Sequence, residues 1–246
     1  MFPVVVVTYV LLSPARDSES SPPTLKELAL RAGAETWPLF VIFGAYFLVR
    51  IWVLGFIYQR HFSNHLTVSQ MLLTIPEALV QYLRILVVPW TPGPAHPLPI
   101  VSTLSSRGFY LPVLLLTAVA LTAALLIWNS SRPRLYLFCA AWMVLALVPV
   151  LNLRAMPQLM IQDRYLYLSS APFCLAAAEA FISVFSRLEL PPLALPVSAA
   201  VIIVVEAGFL FRAEPTWHDD ETLWTRCTEL SPAQAFCHDR LGTLLQ

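Results

Sequence analysis

Gln162-Asp163-Arg164-Tyr165-Leu166-Tyr167-Leu168-Ser169-Ser170 is the stretch on which the reading of the chain turns. It lies between two strongly apolar segments. It puts an acid, a fixed cation and two phenols where the chain re-enters an apolar phase. A charge in such a place is costly unless it is paired or wetted, which makes the stretch a functional-site candidate. Read as architecture alone, the same residues are an interfacial anchor, with Arg snorkelling and Tyr at headgroup depth. The residues by themselves leave both readings open.

Outward from that stretch, the chain of 246 residues is 58% hydrophobic and only 12% charged. A soluble domain carries about twice that share of charge. The composition is that of an all-α, polytopic membrane helix bundle with little left for a separate soluble core. The formal net charge is +0, so no broad basic surface points to nucleic acid. Cys139 and Cys174 lie inside apolar runs and read as small packing residues. Cys227 and Cys237 lie in a polar tail; they can pair if the tail is extracytoplasmic, but two free thiols are the simpler reading. The apolar run 1–12 is shorter than the about 20 residues a crossing needs. It reads as the remnant of a longer helix, and the chain as starting inside a larger protein.

Residues 13–35 read as a polar loop containing Arg16, Lys26 and Arg31, with a short surface helix over 25–34 capped by Thr24. A span follows over 36–57 with one charge, Arg50, which reads as snorkelling. Residues 68–90 differ: Glu77, Gln81 and Arg84 fall at i, i+4 and i+7, on one helical face, and the rest is mostly aliphatic. That is an amphipathic helix lying in the interface or turning its polar face to a wet cavity. Pro89, Pro92, Pro94, Pro97 and Pro99 then make a stiff extended loop that cannot cross hydrocarbon unprotected. Further spans are read over 109–128, 135–151, 165–185 and 193–211, with short turns carrying Arg132, Arg134 and Arg187.

If 68–90 stays on one side, Arg16, Lys26, Arg31, Arg132, Arg134 and Arg187 all share one face of the bilayer. The positive-inside rule makes that face cytoplasmic. The central stretch and the tail are then extracytoplasmic, and the protein is multi-pass. Two parts follow: a transmembrane domain over 1–211 and a tail over 212–246. In the tail, a helix opening at Trp217-His218-Asp219-Asp220 stops at Ser231-Pro232. A second helix has Ala235, Leu241, Gly242 and Leu245 as packing positions. Helix, proline turn, helix is one unit of a helical repeat, a stub of an array.

Metal chemistry finds no support. His61 and His65 share a helical spacing but no Glu or Cys completes a set, and His218-Asp219-Asp220 reads as helix capping. No glycine-rich phosphate loop is present. What remains is a group of charges at the outer surface: Arg164 and Asp163 with Arg84, Glu77 and Arg107. A guanidinium there can grip a lipid phosphate through two oxygens, with Tyr165 and Tyr167 beside the headgroup.

Four segments, in this order, resemble the GT-C membrane glycosyltransferases that end in tetratricopeptide repeats, the transmembrane O-mannosyltransferases among them. They are Leu48-Val49-Arg50-Ile51-Trp52-Val53-Leu54-Gly55, Gln81-Tyr82-Leu83-Arg84-Ile85-Leu86-Val87-Val88-Pro89, Asp163-Arg164-Tyr165-Leu166-Tyr167-Leu168-Ser169-Ser170, and Trp217 through Trp224 and Pro232 to Leu241-Gly242. The resemblance implies sugar transfer from a polyprenyl-phosphate donor to an acceptor outside the membrane, with no resident cofactor. It implies that this chain is the C-terminal portion, without the family's catalytic acidic loop, and inactive alone. Arg164, Tyr165, Tyr167 and Arg84 are carried over as the lipid-phosphate site, with Asp163 and Glu77 in support. The partners expected are membrane lipid, the lipid-linked sugar, and a protein acceptor or partner on the repeats. Ser169 departs from the family's Pro, and Asp163 from its commoner Glu. The competing reading is a non-enzymatic membrane anchor that presents tetratricopeptide-type repeats. A transporter would need polar residues deep in several spans, and these spans have almost none.

Overall fold

The computed structural model describes residues 2–12, 24–54, 66–153, 160–188 and 190–246. Among them the fold is all-α, with no strand and a single antiparallel bridge, His96 to Ile161. The helices are α1 (Phe2–Leu12), α2 (Leu25–Leu54), α3 (Val68–Val87), α4 (Arg107–Trp128), α5 (Pro133–Leu147), α6 (Tyr167–Arg187), α7 (Ala194–Ala213), α8 (Asp220–Leu230) and α9 (Ala235–Leu244). Short 3-10 turns at Asp163–Leu166 and Glu214–Trp217 lead into α6 and out of α7.

Among the described residues, four helices are long and apolar enough to cross a membrane: Lys26–Leu54, Arg107–Trp128, Asp163–Arg187 and Ala194–Trp217. Their outer surfaces are bare hydrocarbon. Trp52 is 85% exposed, and α7 buries no residue at all. Two boundaries differ from the expected ones. The surface helix over 25–34 and the span after it are one helix of 30 residues, roughly 45 Å long. Gly33 and Pro38 flank the junction without ending the helix, and Arg31 and Glu35, one turn apart at 2.8 Å, stitch it. Thr24 and Glu27 exchange capping hydrogen bonds at its start, as the sequence indicates. The span expected over 135–151 is a helix of 15 residues, continued by turns to Leu151. Pro149, which has no N–H to give, falls where the helix stops.

α3 is not among the four. A capping box starts it, with Thr67 and Gln70 each bonding the other's backbone N–H. Its buried residues Thr74, Ala78 and Tyr82 lie at successive i+4 steps. Ala78 and Tyr82 form a core with Leu147 and Val150 at the end of α5 and with Ile161 and Leu166. α3 also packs along α4, and α5 packs on α6 and on α1.

The bundle has two chemically distinct ends. At one, Arg132 pairs with Glu179 of α6 at 3.1 Å, and Arg187 donates to the carbonyl of Asn129. Tyr9, late in α1, meets Phe138, early in α5, at 5.6 Å between centroids. At the other end lie the proline loop (88–106), the stretch 160–166, the exit of α7 and the α8–α9 pair.

That pair is joined by a disulfide, Cys227–Cys237, with a Cα–Cα distance of 5.5 Å. The two-free-thiol reading is thus corrected: α8 and α9 pack antiparallel across a short turn, which faces the two cysteines toward each other. Both are 0% exposed and pack against Ala95 of the proline loop, with Trp224 and Phe236 alongside. Asp219 caps α8 by accepting from Thr222 N at 2.8 Å. That backbone N–H, and after it the Thr222 hydroxyl, hold the exposed carboxyl below its ordinary range. The four expected packing positions of α9 are open: Ala235 and Gly242 are exposed, Leu241 is half-buried, and Leu245 is 67% exposed.

The cysteines are 10 residues apart, a loop whose closure restricts the unfolded tail by roughly 3 kcal/mol. Cys227→Ser, or reduction of the intact protein, is expected to expose the α8–α9 turn to protease. Limited proteolysis in detergent checks this, and an unchanged cleavage rate after full reduction would refute it.

Candidate functional site

The proline loop has few N–H groups of its own, so outside groups must fix it. Asp163 does most of this. One carboxylate oxygen, Oδ2, accepts from Gly93 N at 2.9 Å, and the other, Oδ1, meets His96 Nε2 at 2.6 Å. His96 N donates to the carbonyl of Ile161 at 3.0 Å. Gln81 Nε2 donates to Pro97 O at 3.0 Å, and Val101 N donates to Thr74 Oγ1 at 3.0 Å. Tyr82, wholly buried, reaches from α3 to the carbonyl of Met160 at 3.4 Å. Burial, and then the neighbouring Tyr165, push its phenol well above the ordinary range.

Between α3 and this pinned loop lies a cavity of about 360 Å³. Its polar lining is Glu77, Gln81, Arg84, Thr91, His96 and Asp163. Its apolar lining includes Ile85, Trp90 and, from α8, Leu230. Glu77, Gln81 and Arg84, placed on one face by their spacing, thus line one cavity. Neither Glu77 nor Arg84 has an ion-pair partner among the described residues. Trp90 ties the cavity rim to α7, edge-on to Phe209 at 5.9 Å with the Arg212 guanidinium 5.4 Å above its ring.

The residues singled out by sequence divide into two groups. Arg84, Glu77 and Asp163 line the cavity. Arg164, Tyr165 and Tyr167 do not: Arg164 is exposed, its guanidinium 5.5 Å from the Tyr165 ring centre, and Tyr167 is 87% exposed. Tyr165 turns inward instead, packing on the α3 core and accepting from Gln162 Nε2 at 3.2 Å. Arg107, at the start of α4, is exposed and off the cavity. Arg50 donates to Tyr46 Oη at 3.0 Å rather than to an acid. His61, His65 and Gly55 lie outside the described residues. No group of three metal-ligating side chains occurs among the described residues.

His96, Trp90, Gly93 and Leu230 are the site residues that sequence reasoning passed over. A single histidine among prolines carries no pattern. Gly93 matters because a Cβ there would overlap Leu230 Cδ1. The glycine is what lets α8 lie against the loop and close one cavity wall.

No protein-family profile, curated protein or solved structure matches the chain.

Two substitutions test this geometry. Gly93→Val should destabilise the protein by about 1–3 kcal/mol through overpacking, and a Leu230→Ala background should recover part of that loss in thermal unfolding. Equal losses in both backgrounds would contradict the contact. Ser169 is buried with a hydroxyl that has no hydrogen-bond partner among the described residues. Ser169→Ala is therefore expected to leave stability unchanged or raise it by about 1 kcal/mol; a clear drop in melting temperature would contradict the unsatisfied hydroxyl.

Proposed function

We propose that this chain forms the lipid-phosphate-binding part of a polyprenyl-phosphate-dependent membrane glycosyltransferase of the GT-C type. The carrying observation is Arg84, a guanidinium without an acidic partner among the described residues, on the wall of the cavity under the proline loop. In this reading Arg84 donates to two phosphate oxygens of the lipid-linked sugar and stabilises the charge that gathers there as the sugar leaves. Gln81 supplies a further donor. The polyprenyl chain runs out past Ile85 and Trp90 toward α7. Arg164 and Tyr167, on the adjoining surface, meet neighbouring headgroups. The catalytic carboxylate that the resemblance implies has no counterpart assigned among these residues, so transfer needs the acidic loop of an intact enzyme.

Three features support the setting. Four apolar helices suit a multi-pass membrane protein. The cationic turns gather at the end away from the cavity, the arrangement that the positive-inside rule associates with a cytoplasmic face. The disulfide in the tail suits an oxidising, extracytoplasmic compartment.

A second reading has its own observation. α9 leaves Gly242 and Leu244 open, and Leu245 is 67% exposed. A membrane anchor that presents tetratricopeptide-type repeats to a protein partner would show such a face.

The test is equilibrium binding of a radiolabelled polyprenyl phosphate to the full chain in lipid nanodiscs. Arg84→Ala is expected to weaken binding by about tenfold or more, the worth of a charge-assisted pair, while the matching polyprenol shows no dependence on Arg84. Arg164→Ala should have a smaller effect. Equal affinities for phosphate and alcohol, or wild-type binding in Arg84→Ala, would sink the lipid-phosphate reading and leave the anchor.

A further inference from the structure

The geometry points to His96, oriented by Asp163, as a proton-linked anion contact in the cavity. Binding of a phosphate-type anion there is coupled to uptake of one proton on Nδ1 of the ring. This rests on the lipid-phosphate reading of the cavity and adds to it a residue and a pH dependence.

Three observations carry it. The ring lies on the cavity wall with its side chain 10% exposed, so it faces little besides the cavity and its packing neighbours. Nε2 is held 2.6 Å from Asp163 Oδ1. A carboxylate only accepts, so Nε2 carries a proton and the neutral ring is the Nε2–H tautomer. Nδ1 has no partner among the described residues and is not among their buried, unpartnered atoms. It is therefore an accessible lone pair on a ring that lines the cavity. Asp163 cannot turn away to follow a ligand, because its other oxygen holds Gly93 N. The ring's backbone is fixed as well, through His96 N to Ile161 O.

In that arrangement a neutral His96 presents a lone pair to an incoming anion and repels it. A protonated His96 presents an N–H and donates. Histidine is the side chain whose ordinary titration falls between about pH 5 and 8. The other charged groups around the loop are Glu77 and Arg84 of α3, Asp163, Arg212 of α7 over the Trp90 ring, and Arg226 of α8 with its partner Glu229. Carboxylates and guanidiniums ordinarily hold one charge across that window. The sign follows directly: binding takes up a proton, so affinity is greatest at low pH and falls as pH rises. Asp163 acts as a positioning residue, since it sets which nitrogen faces the anion.

The probe must not titrate itself. A phosphate monoester gains charge near pH 6, which would mask the effect. Farnesyl methyl phosphate is a diester with one fixed charge; dimethyl phosphate is its soluble counterpart, and farnesol its uncharged one. Binding of each to the full chain in nanodiscs is measured at pH 5.5 and pH 8.

For farnesyl methyl phosphate, wild type is expected to lose about tenfold in affinity across that range. His96→Gln should bind weakly at both pH values, with no slope. Weaker binding of dimethyl phosphate with the same slope assigns the lipid as the source of the rest of the affinity. Equal binding of the two diesters would mean that the site takes phosphate without its lipid.

A second readout needs no ligand. With labelled histidine, the ¹⁵N shifts of His96, assigned by its loss in His96→Gln, should report the Nε2–H tautomer when neutral. Asp163→Asn should move it toward Nδ1–H, since the amide can donate to Nε2; a purely structural role for Asp163 would leave the tautomer alone. No binding at either pH would defeat the lipid-phosphate reading while the tautomer result stood. Binding with an equal pH slope in wild type and His96→Gln, or a neutral His96 protonated on Nδ1 in wild type, overturns the present inference.

Discussion

Proline removes the backbone donor at positions 89, 92, 94, 97 and 99, so the loop after α3 cannot build a helix or a ladder from its own groups. Its remaining N–H groups must be satisfied from outside. The grip of Asp163 on Gly93 and His96 is the main means by which this is done. One carboxylate, at the point where the chain enters α6, spends both oxygens on a loop about 70 residues earlier in the sequence. Ile161, Thr74 and Gln81 complete the attachment. Without Asp163 the loop would keep its stiffness but lose its place over α3, and the cavity would lose its roof.

The same constraint explains the tail. α8 and α9 together bury little apolar surface of their own. They close their small core, the disulfide, against Ala95, and Leu230 fits only because position 93 has no side chain. The tail is therefore not a free appendage of a membrane bundle. It forms part of the wall of the candidate site, and Ser231, buried near the carbonyl of Ala95, sits at the junction. The disulfide keeps the two short helices together; neither has the length to be stable alone.

What was legible in the sequence was what local period and composition encode. The spacing of Glu77, Gln81 and Arg84 reports a polar face, and those three side chains do line one cavity. The apolar runs report helices, and Asp219 and Thr222 report a cap. What was not legible rests on contacts between distant segments. His96 and Asp163 are 67 positions apart, and nothing near either one signals the other. Gly93 looks like ordinary loop punctuation until α8 is laid against it. The continuity of α2 was hidden by a change of character: a charged surface helix over 25–34 gives way to an apolar span, yet Arg31 and Glu35 pair along one helix across the junction. The central stretch was read as one unit facing one way. A 3-10 turn splits it, sending Asp163 and Tyr165 inward and leaving Arg164 and Tyr167 outside.

That split bears on how the two arginines divide their work. Arg164 can shed its charge into water or headgroups at no cost, and its planar face is occupied by Tyr165. Arg84 is exposed as well, but it lies on a cavity wall shared with the aliphatic side chains of α3 and the ring of Trp90. Glu77, two turns back along α3, sits too far along the helix for a direct pair. Glu77 and Asp163 bring two carboxylates to the lining against the one guanidinium of Arg84, so the cavity holds no surplus of positive charge. What sets Arg84 apart is placement: helix geometry keeps it from Glu77, and Asp163 is engaged by Gly93 and His96, which leaves the guanidinium without an acidic partner among the described residues.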